Sequence, residues 1–281
     1  MNTALEIQEE PFLHYRSISG IQHRYLTDWN GTPLNGIYLI ESRLDSPLSV
    51  NATPLLLTPG VFDPVRGEYG EETISALLKE KRASIIYEVH FRYNGTCGLL
   101  DMPAILEDLC LILSTSDPSL KAVGLSGGCM AICAALYELQ SQGVQPTLSH
   151  ALLIGPHLID YNTIFIRAVR KVINSDDMMA KVTRHAGHPN VPTNAEKGKV
   201  WFKDSEFASA IAGISPRKKR PGFPVNIETR YFRFDTLSKN GRNRLHWYFD
   251  CPKPKKPIAG IHRGLFRVPE TTGIIREFCS Q

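Results

Sequence analysis

Short runs of consecutive apolar residues alternate along the chain with longer segments whose apolar residues recur at helical spacing. The runs are typical of strands buried on both faces of a sheet, and the longer segments are typical of helices that pack against it. The strands are predicted at residues 54–58, 83–89, 121–125 and 150–155, and the helices at residues 72–82, 102–114 and 129–139. Because strands and helices take turns, the pattern predicts an α/β domain with a doubly wound, mostly parallel central sheet.

The two ends of the chain add further elements to this sheet. Residues 23–27 and 36–41 are strand-like and flank the turn-forming sequence Asn-Gly-Thr-Pro at residues 30–33, which predicts an antiparallel hairpin. Strand-like segments return late in the chain, and a helix is expected after them. These late strands are residues 225–234, 245–249 and 258–261, and the helix is residues 271–278.

The strand pattern is interrupted between residues 161 and 224. This stretch contains amphipathic segments, a part rich in Gly, Pro and Asn, and a basic run. An insertion of this length between strands of one sheet is typical of a lid. We therefore expect three parts: residues 1–160 form the N-terminal part of the core, residues 161–224 form a partly helical lid, and residues 225–281 form the C-terminal part of the core.

Composition indicates an ordinary globular protein rather than an exported or membrane-spanning one. Of the 281 residues, 42% are hydrophobic and 21% are charged, and no stretch approaches the roughly 20 apolar residues that cross a bilayer. The first residues include Glu6, Glu9 and Glu10 and lack the basic start and apolar run of a secretory signal. The six cysteines show no CxxC pair and no metal-finger spacing, so we expect reduced thiols in a cytoplasmic protein without a structural metal site.

Positive charge is concentrated in one region of the sequence. The whole chain carries a net charge of +4, but residues 197–256 contain 15 Lys and Arg against 5 Asp and Glu. Two interpretations are open: a solvated basic surface on loops and lid, or a surface that attracts an anionic partner such as the phosphates of coenzyme A or an acidic carrier protein. Nucleic acid is a weaker candidate, because the basic runs at residues 217–220 and 253–256 are short, are flanked by proline and belong to no recognisable binding module.

One serine lies in a sequence that suits a nucleophile. Ser126 is the centre of Gly124-Leu125-Ser126-Gly127-Gly128, a Gly-x-Ser-x-Gly motif. A predicted strand ends directly before it and an apolar helix follows it, which is the setting of a sharp turn that exposes a serine hydroxyl. Small residues on both sides keep the neighbouring chain clear of that turn. The alternative is a tight turn with a purely structural role.

With this motif placed between strand and helix, the chain resembles the α/β-hydrolase family from about residue 23 to the C-terminus, apart from the lid. The resemblance implies an oxyanion hole that uses the backbone N–H of Gly127, the residue after the nucleophile. It also implies a second donor in the loop after the third core strand, at Val61 or Phe62. In that loop Thr58 and Pro59 stand where the family usually has histidine.

The family's order of catalytic residues, nucleophile then acid then base, places the base near the C-terminus. His262 follows the last predicted strand and precedes the final helix, so the resemblance assigns it this role. Asp235 ends an apolar-aromatic strand 27 residues earlier and is the first choice for the acid, with Asp160 and Asp250 as alternatives. His90 also follows an apolar strand, but its place in the chain does not fit the base.

These residues predict acyl transfer to water, in which Ser126 attacks a carboxylic ester or thioester and His262 carries the proton. An apolar stripe between residues 164 and 173 and the basic region suggest a lipid-like ester or an acyl thioester as substrate. No metal or organic cofactor is expected, because the sequence lacks a zinc pattern and a phosphate-binding glycine loop. Four alternatives use the same fold: acyl transfer to another acceptor, C–C bond hydrolysis, cyclisation, and ligand binding without catalysis.

Overall fold

A seven-stranded sheet forms the centre of the fold. The computed structural model describes residues 20–45, 53–60, 70–91, 102–156, 225–233, 243, 245–246, 251–252, 257–258 and 269–281. The strands within these ranges are β1 (Ile21–Leu26), β2 (Asp28–Trp29), β3 (Thr32–Pro33), β4 (Ile37–Leu44), β5 (Leu55–Thr58), β6 (Ile86–Phe91), β7 (Lys121–Leu125), β8 (His150–Ile154) and β9 (Asn226–Arg230). The helices are α1 (Gly70–Lys79), α2 (Met102–Thr115), α3 (Gly127–Ser141) and α4 (Pro269–Cys279).

The strands of the central sheet lie in the order β1-β4-β6-β5-β7-β8-β9. β1 pairs antiparallel with β4, and β4 pairs antiparallel with β6, whereas each of the other pairs in this sheet is parallel. Beyond β9, Phe232 forms a parallel bridge with Ile258, which brings a later segment of the chain alongside. The doubly wound, mostly parallel sheet predicted from the sequence is confirmed.

Burial on both faces explains why the central strands are unbroken apolar runs. In β5, Leu56 packs in the cluster that α2 and α3 cover, whereas Leu55 and Leu57 pack on the opposite face with residues of α1 and α4. Leu152 and Leu153 of β8 divide between the two faces in the same way. Each buried leucine contributes about 1.5–3 kcal/mol of hydrophobic stabilisation. The residues that build the two cores therefore also fix these strands in the middle of the sheet.

The chain reverses its direction across the sheet between β5 and β7, which are neighbours. From β5 it passes through α1 to β6 on one side, and from β7 it passes through α3 to β8 on the other. Ligands of open α/β sheets bind at the carboxyl ends of the strands, at such a switch point. Thr58 and Gly124 pair at this edge, so the segments that follow β5 and β7 leave the sheet side by side.

The N-terminal hairpin is confirmed, with a small ribbon at its tip. β2 and β3 pair there, and the turn between them places Asn30 and Gly31 at φ values of 53° and 81°, a conformation that suits an Asn-Gly turn. Asp108 of α2 ties the second arm of the hairpin to the core. Its buried carboxylate accepts the backbone N–H groups of Gly36 at 2.7 Å and Ile37 at 3.0 Å.

The C-terminal elements are predicted only in part. β9 and α4 fall where a strand and a helix are expected, but the strand predicted at residues 245–249 is wrong at Leu245 and His246, which are helical, and residues 247–249 lie outside the described residues. Leu245 is fully buried in the cluster on the α2 and α3 side. A short apolar and aromatic run can fill a core from a helical turn as well as from a strand, and a run of this length does not distinguish the two.

The predicted lid at residues 161–224 lies outside the described residues, so the division into core, lid and core stays a prediction. The basic runs at residues 217–220 and 253–256 also lie outside the described residues. The cytoplasmic location likewise stays a prediction. The five cysteines within the described ranges carry free thiols. None of the described helices has the length and apolar character to cross a membrane.

Candidate active site

Ser126 lies between the last residue of β7 and the first residue of α3. Its backbone has a φ of 49° and a ψ of −112°, a conformation that costs a residue other than glycine about 1–3 kcal/mol. The side chain is half-buried, whereas Leu125 and Gly127 on either side are buried. We call residues 124–128 the elbow. The strand, turn and helix expected around the serine are all present.

Two backbone hydrogen bonds fix the turn at Ser126. Its N–H donates to the carbonyl oxygen of Ile154, the last residue of β8, at 2.9 Å, and its own carbonyl oxygen accepts the N–H of Cys129 at 3.2 Å. Serine at the start of a helix commonly caps the first N–H groups with its hydroxyl. The Ser126 side chain makes no such cap with α3, so its hydroxyl is not used to stabilise the helix.

Two glycines of the elbow are required by close packing. A Cβ atom on Gly128 would lie 2.2 Å from the carbonyl oxygen of Thr58 and 2.4 Å from that of Pro59. A Cβ atom on Gly124 would lie 3.0 Å from the Cα atom of Cys129. The absence of a side chain at Gly128 therefore lets the loop after β5 lie directly against the first turn of α3.

The first turn of α3 presents backbone N–H groups next to the serine. Gly127 begins this helix, and the first N–H groups of a helix have no acceptor inside it. The positive end of the helix dipole adds to the attraction for negative charge. This arrangement suits an oxyanion that forms beside Ser126. The loop with the second predicted donor is described as far as the buried Gly60, and Val61 and Phe62 lie outside the described residues.

The other predicted catalytic residues are not among those that the structure describes. They are His262, Asp235, Asp160 and Asp250. The structure does describe the strands that lead towards two of the aspartates, since Asp160 follows β8 and Asp235 follows β9 in the chain. β7, β8 and β9 are parallel neighbours, so their carboxyl ends share one edge of the sheet with Ser126.

His90 lies on β6 and is enclosed by the core. Its ring stacks on Tyr38, with centroids 5.1 Å apart and an angle of 12° between the ring planes. Burial lowers the pKa of His90 to about 4, because the protonated ring would lose its hydration. The imidazole is therefore a weak base, and its enclosure in the core keeps it from a substrate, which supports the expectation that the catalytic base lies elsewhere. Among the described residues, no three His, Cys, Asp or Glu side chains are placed to hold a metal ion.

Cys129 contributes to the elbow in a way that its sequence context did not indicate. Its Sγ atom lies 3.1 Å from the carbonyl oxygen of Gly124 and 3.3 Å from that of Ile154. In sequence it was one of six scattered cysteines and the first apolar residue of a predicted helix. The signal available in the sequence was its position three residues after Ser126, because the first turn of the helix that follows the serine packs beneath the turn.

No protein-family model and no curated protein matches this sequence. Solved structures of esterases do share its fold. A fungal esterase from Rhizomucor miehei superposes with a TM-score of 0.56 at 13% identity, covering 92% of this chain and 80% of that chain. A hyperthermophilic esterase from Pyrobaculum calidifontis gives 0.52 at 11%, covering 94% and 82%. A thermostable esterase from Pseudomonas putida gives 0.50 at 16%, covering 92% and 81%. The sheet order, the elbow and these superpositions show that the chain has the α/β-hydrolase fold.

Proposed function

We propose that this protein is a serine hydrolase that cleaves a carboxylic ester through Ser126. The observation that carries the proposal is the strained backbone of Ser126 at the switch point of the sheet. A residue held in a costly conformation, with a half-buried side chain between buried neighbours, is typical of a functional site. The solved structures named above are esterases, which supports an ester as the bond that is cleaved.

In the proposed reaction, the Ser126 hydroxyl oxygen attacks the ester carbonyl carbon while His262 accepts the hydroxyl proton. The N–H of Gly127 and a second N–H, from Val61 or Phe62, donate to the oxyanion that forms. The tetrahedral intermediate collapses, the bond to the leaving group breaks, and His262 returns the proton to the alkoxide. Water then attacks the acyl-enzyme with the same help and releases the carboxylic acid and free Ser126.

Asp235 is proposed as the acid that orients His262. A carboxylate that accepts the second imidazole N–H holds the ring in the tautomer that can take the serine proton, and it stabilises the imidazolium that results. Asp235 follows β9, the second strand along from the elbow, and Asp160 follows the intervening strand β8. Asp160 and Asp250 remain the alternative acids.

The finer proposal for the substrate is an acyl thioester or a lipid-like ester with an anionic head. The excess of Lys and Arg in residues 197–256 supports it, since a basic surface raises the local concentration of an anionic ligand such as coenzyme A or an acidic carrier protein. The apolar stripe between residues 164 and 173 supports an acyl chain as the other end of the substrate. Both arguments depend on the sequence.

A fluorophosphonate probe tests the proposed nucleophile directly. We expect it to label the folded protein at one serine, Ser126, because serine hydroxyls are weak nucleophiles unless a base and oxyanion donors activate them. Digestion followed by mass spectrometry should locate the adduct in the peptide that contains Ser126. Ser119 is a suitable comparison, since its exposed hydroxyl donates to Asp117 at 2.6 Å and should stay unmodified.

The control is protein unfolded before the probe is added, which should show no adduct at all. An adduct on another residue of the folded protein would show that Ser126 is not the nucleophile. A folded protein that takes up no probe would favour the alternative of a ligand-binding protein without catalytic activity.

Salt dependence tests the basic region. Between about 10 mM and about 300 mM salt the kcat/KM for an acyl-CoA should fall several-fold, because exposed charges are screened over this range. A neutral ester with the same acyl chain should be hydrolysed at a rate that changes little. The double variant Lys218→Glu, Lys219→Glu should lower the acyl-CoA rate in the same way at low salt.

Lys79→Glu with Lys81→Glu is the matched control for that variant. It changes the net charge equally, but these exposed lysines lie at the end of α1 and just after it, in the segment that leads to the amino end of β6, on the edge of the sheet opposite to the elbow. If salt and both double variants leave the acyl-CoA rate unchanged, the anionic substrate and the carrier protein are wrong, and the ester hydrolase proposal is unaffected.

A further inference from the structure

The thiol of Cys129 occupies the corner where β7 and β8 end and α3 begins. Its Sγ atom is 3.1 Å from the carbonyl oxygen of Gly124 and 3.3 Å from that of Ile154. A thiol has one proton, so it donates to these two acceptors in a shared hydrogen bond. The residue is fully buried. Water therefore does not compete for the thiol proton.

Both acceptors of the thiol adjoin the serine. Gly124 stands two residues before Ser126, at the end of the pairing between β7 and β5. The carbonyl oxygen of Ile154 accepts the Ser126 N–H at 2.9 Å as well as the Cys129 thiol. One side chain thus links the chain entering the turn, the neighbouring strand that supports the turn, and the helix that leaves it.

From these contacts we infer that Cys129 is a positioning residue, which holds Ser126 in the strained backbone conformation required for attack. The inference rests on the proposed function, since it concerns the same nucleophile. A strained residue keeps its conformation only when several contacts with the surrounding structure hold it there. The two backbone hydrogen bonds of Ser126 provide part of this support, and the Cys129 thiol provides a contact that a residue without a side-chain donor would lack.

The chemistry of the thiol suits this role rather than that of a second nucleophile. Burial raises the pKa of Cys129 well above the ordinary value for cysteine, because the thiolate would be poorly solvated. The group therefore keeps its proton near pH 7 and stays a donor. Reactive cysteines need thiolate character and access to solvent, and Cys129 has neither.

Cys129→Ala is the variant that removes the donor. We expect kcat to fall about tenfold with KM nearly unchanged, because a small displacement of the attacking atom weakens the transition state more than substrate binding. Cys129→Ser should recover most of the lost kcat, since a hydroxyl can also donate to these carbonyl groups. Rates are to be divided by the concentration of sites that react with the fluorophosphonate, so that loss of folded protein is not counted.

Cys133→Ala is the matched control. Cys133 lies one turn further along α3, is also fully buried and loses the same atoms on replacement, but it is farther from the elbow. We expect its kcat to stay close to that of the unmodified protein. A general loss of core packing would affect both variants alike, whereas a positioning role separates them.

Hydrogen exchange at the Ser126 amide gives a readout that does not depend on catalysis. This N–H donates to Ile154, so its exchange reports how often the turn opens. It should become about tenfold faster in Cys129→Ala and stay unchanged in Cys133→Ala.

Each result has a distinct meaning. Equal kcat and equal exchange in the two alanine variants, in a protein that does hydrolyse esters, would overturn the role of Cys129 and leave Ser126 as the nucleophile. A serine variant that behaves like the alanine variant would overturn the hydrogen-bond argument. If no ester is hydrolysed and no probe is bound, the proposed function fails, and exchange at Ser126 still decides whether the thiol holds the turn.

Discussion

Ser126→Ala is expected to lower kcat/KM for ester hydrolysis by about a million-fold, the order of effect that follows the loss of a serine nucleophile. Cys129 is not expected to replace the serine as the nucleophile, because it is buried and protonated and its thiol is directed at backbone carbonyl groups. The small rate that remains would come from the oxyanion donors and from substrate binding. The measurement is turnover of a chromogenic ester at several concentrations, together with urea unfolding of the same protein.

Ser126→Gly separates the loss of chemistry from the loss of structure. It should be as inactive as Ser126→Ala but more stable to urea by about 1 kcal/mol, because glycine adopts a φ of 49° with a ψ of −112° without strain. The gain is smaller than the full strain because glycine has more conformational freedom in the unfolded chain. Turnover that survives in either variant would remove Ser126 as the nucleophile. A glycine variant less stable than the alanine variant would show that the turn is not strained.

The sequence predicted best the strands that are buried on both faces of the sheet, because apolar residues fill most positions of such strands. Residues 121–125 are predicted as a strand and form β7, in which Ala122 packs in one core and Val123 and Leu125 pack in the other, as suits a strand in the middle of a sheet. α3 was predicted from Cys129 and begins two residues earlier, at Gly127. Gly127 and Gly128 have no side chains and add nothing to the hydrophobic periodicity, so the sharp turn at Ser126 determines that they are helical.

The contacts that shape the candidate site join residues far apart in the chain, and periodicity does not report such contacts. The motif predicted that Gly128 must be small, but not that the carbonyl groups of Thr58 and Pro59 are what it makes room for. The same contact bears on the loop after β5, in which Thr58 and Pro59 stand where the α/β-hydrolase family that the sequence resembles usually has histidine. Here the backbone of Thr58 and Pro59 lies against α3, so the loop is held at the elbow through its main chain.

The wrong prediction at Leu245 and His246 has a similar origin. Leu245 is apolar in sequence and fully buried in the structure, so the prediction of a core position is correct and only the conformation is wrong. Helix or strand is decided there by the neighbouring elements that Leu245 must reach, which a short run does not encode. Asp250 is an alternative acid because the predicted strand at residues 245–249 ends beside it. The helical state of Leu245 and His246 removes that reason, and the described strands that lead towards a candidate acid are β8, before Asp160, and β9, before Asp235.

Asp235 is the first choice for the acid, so Asp235→Asn is expected to lower kcat by about 10⁴-fold, whereas Asp160→Asn and Asp250→Asn should stay close to the unmodified protein. Asparagine keeps the size of the side chain but presents an amide N–H₂ to His262, which favours the tautomer that is unable to take the serine proton. The three variants make the same chemical change, so each serves as a control for the others. Labelling by a fluorophosphonate should slow in the same single variant, because that reaction also needs the base.

The result also decides from which strand the acid reaches the base. β8 is the immediate neighbour of β7, and β9 is one strand further from the elbow. An acid after β9 leaves the space beside Ser126 open for the imidazole of His262, whereas an acid after β8 would bring its carboxylate closer to the serine. A large loss of kcat in Asp160→Asn with an active Asp235→Asn would place the acid after β8 and contradict the present assignment. Loss in all three variants would instead indicate structural damage, which urea unfolding of each variant would reveal.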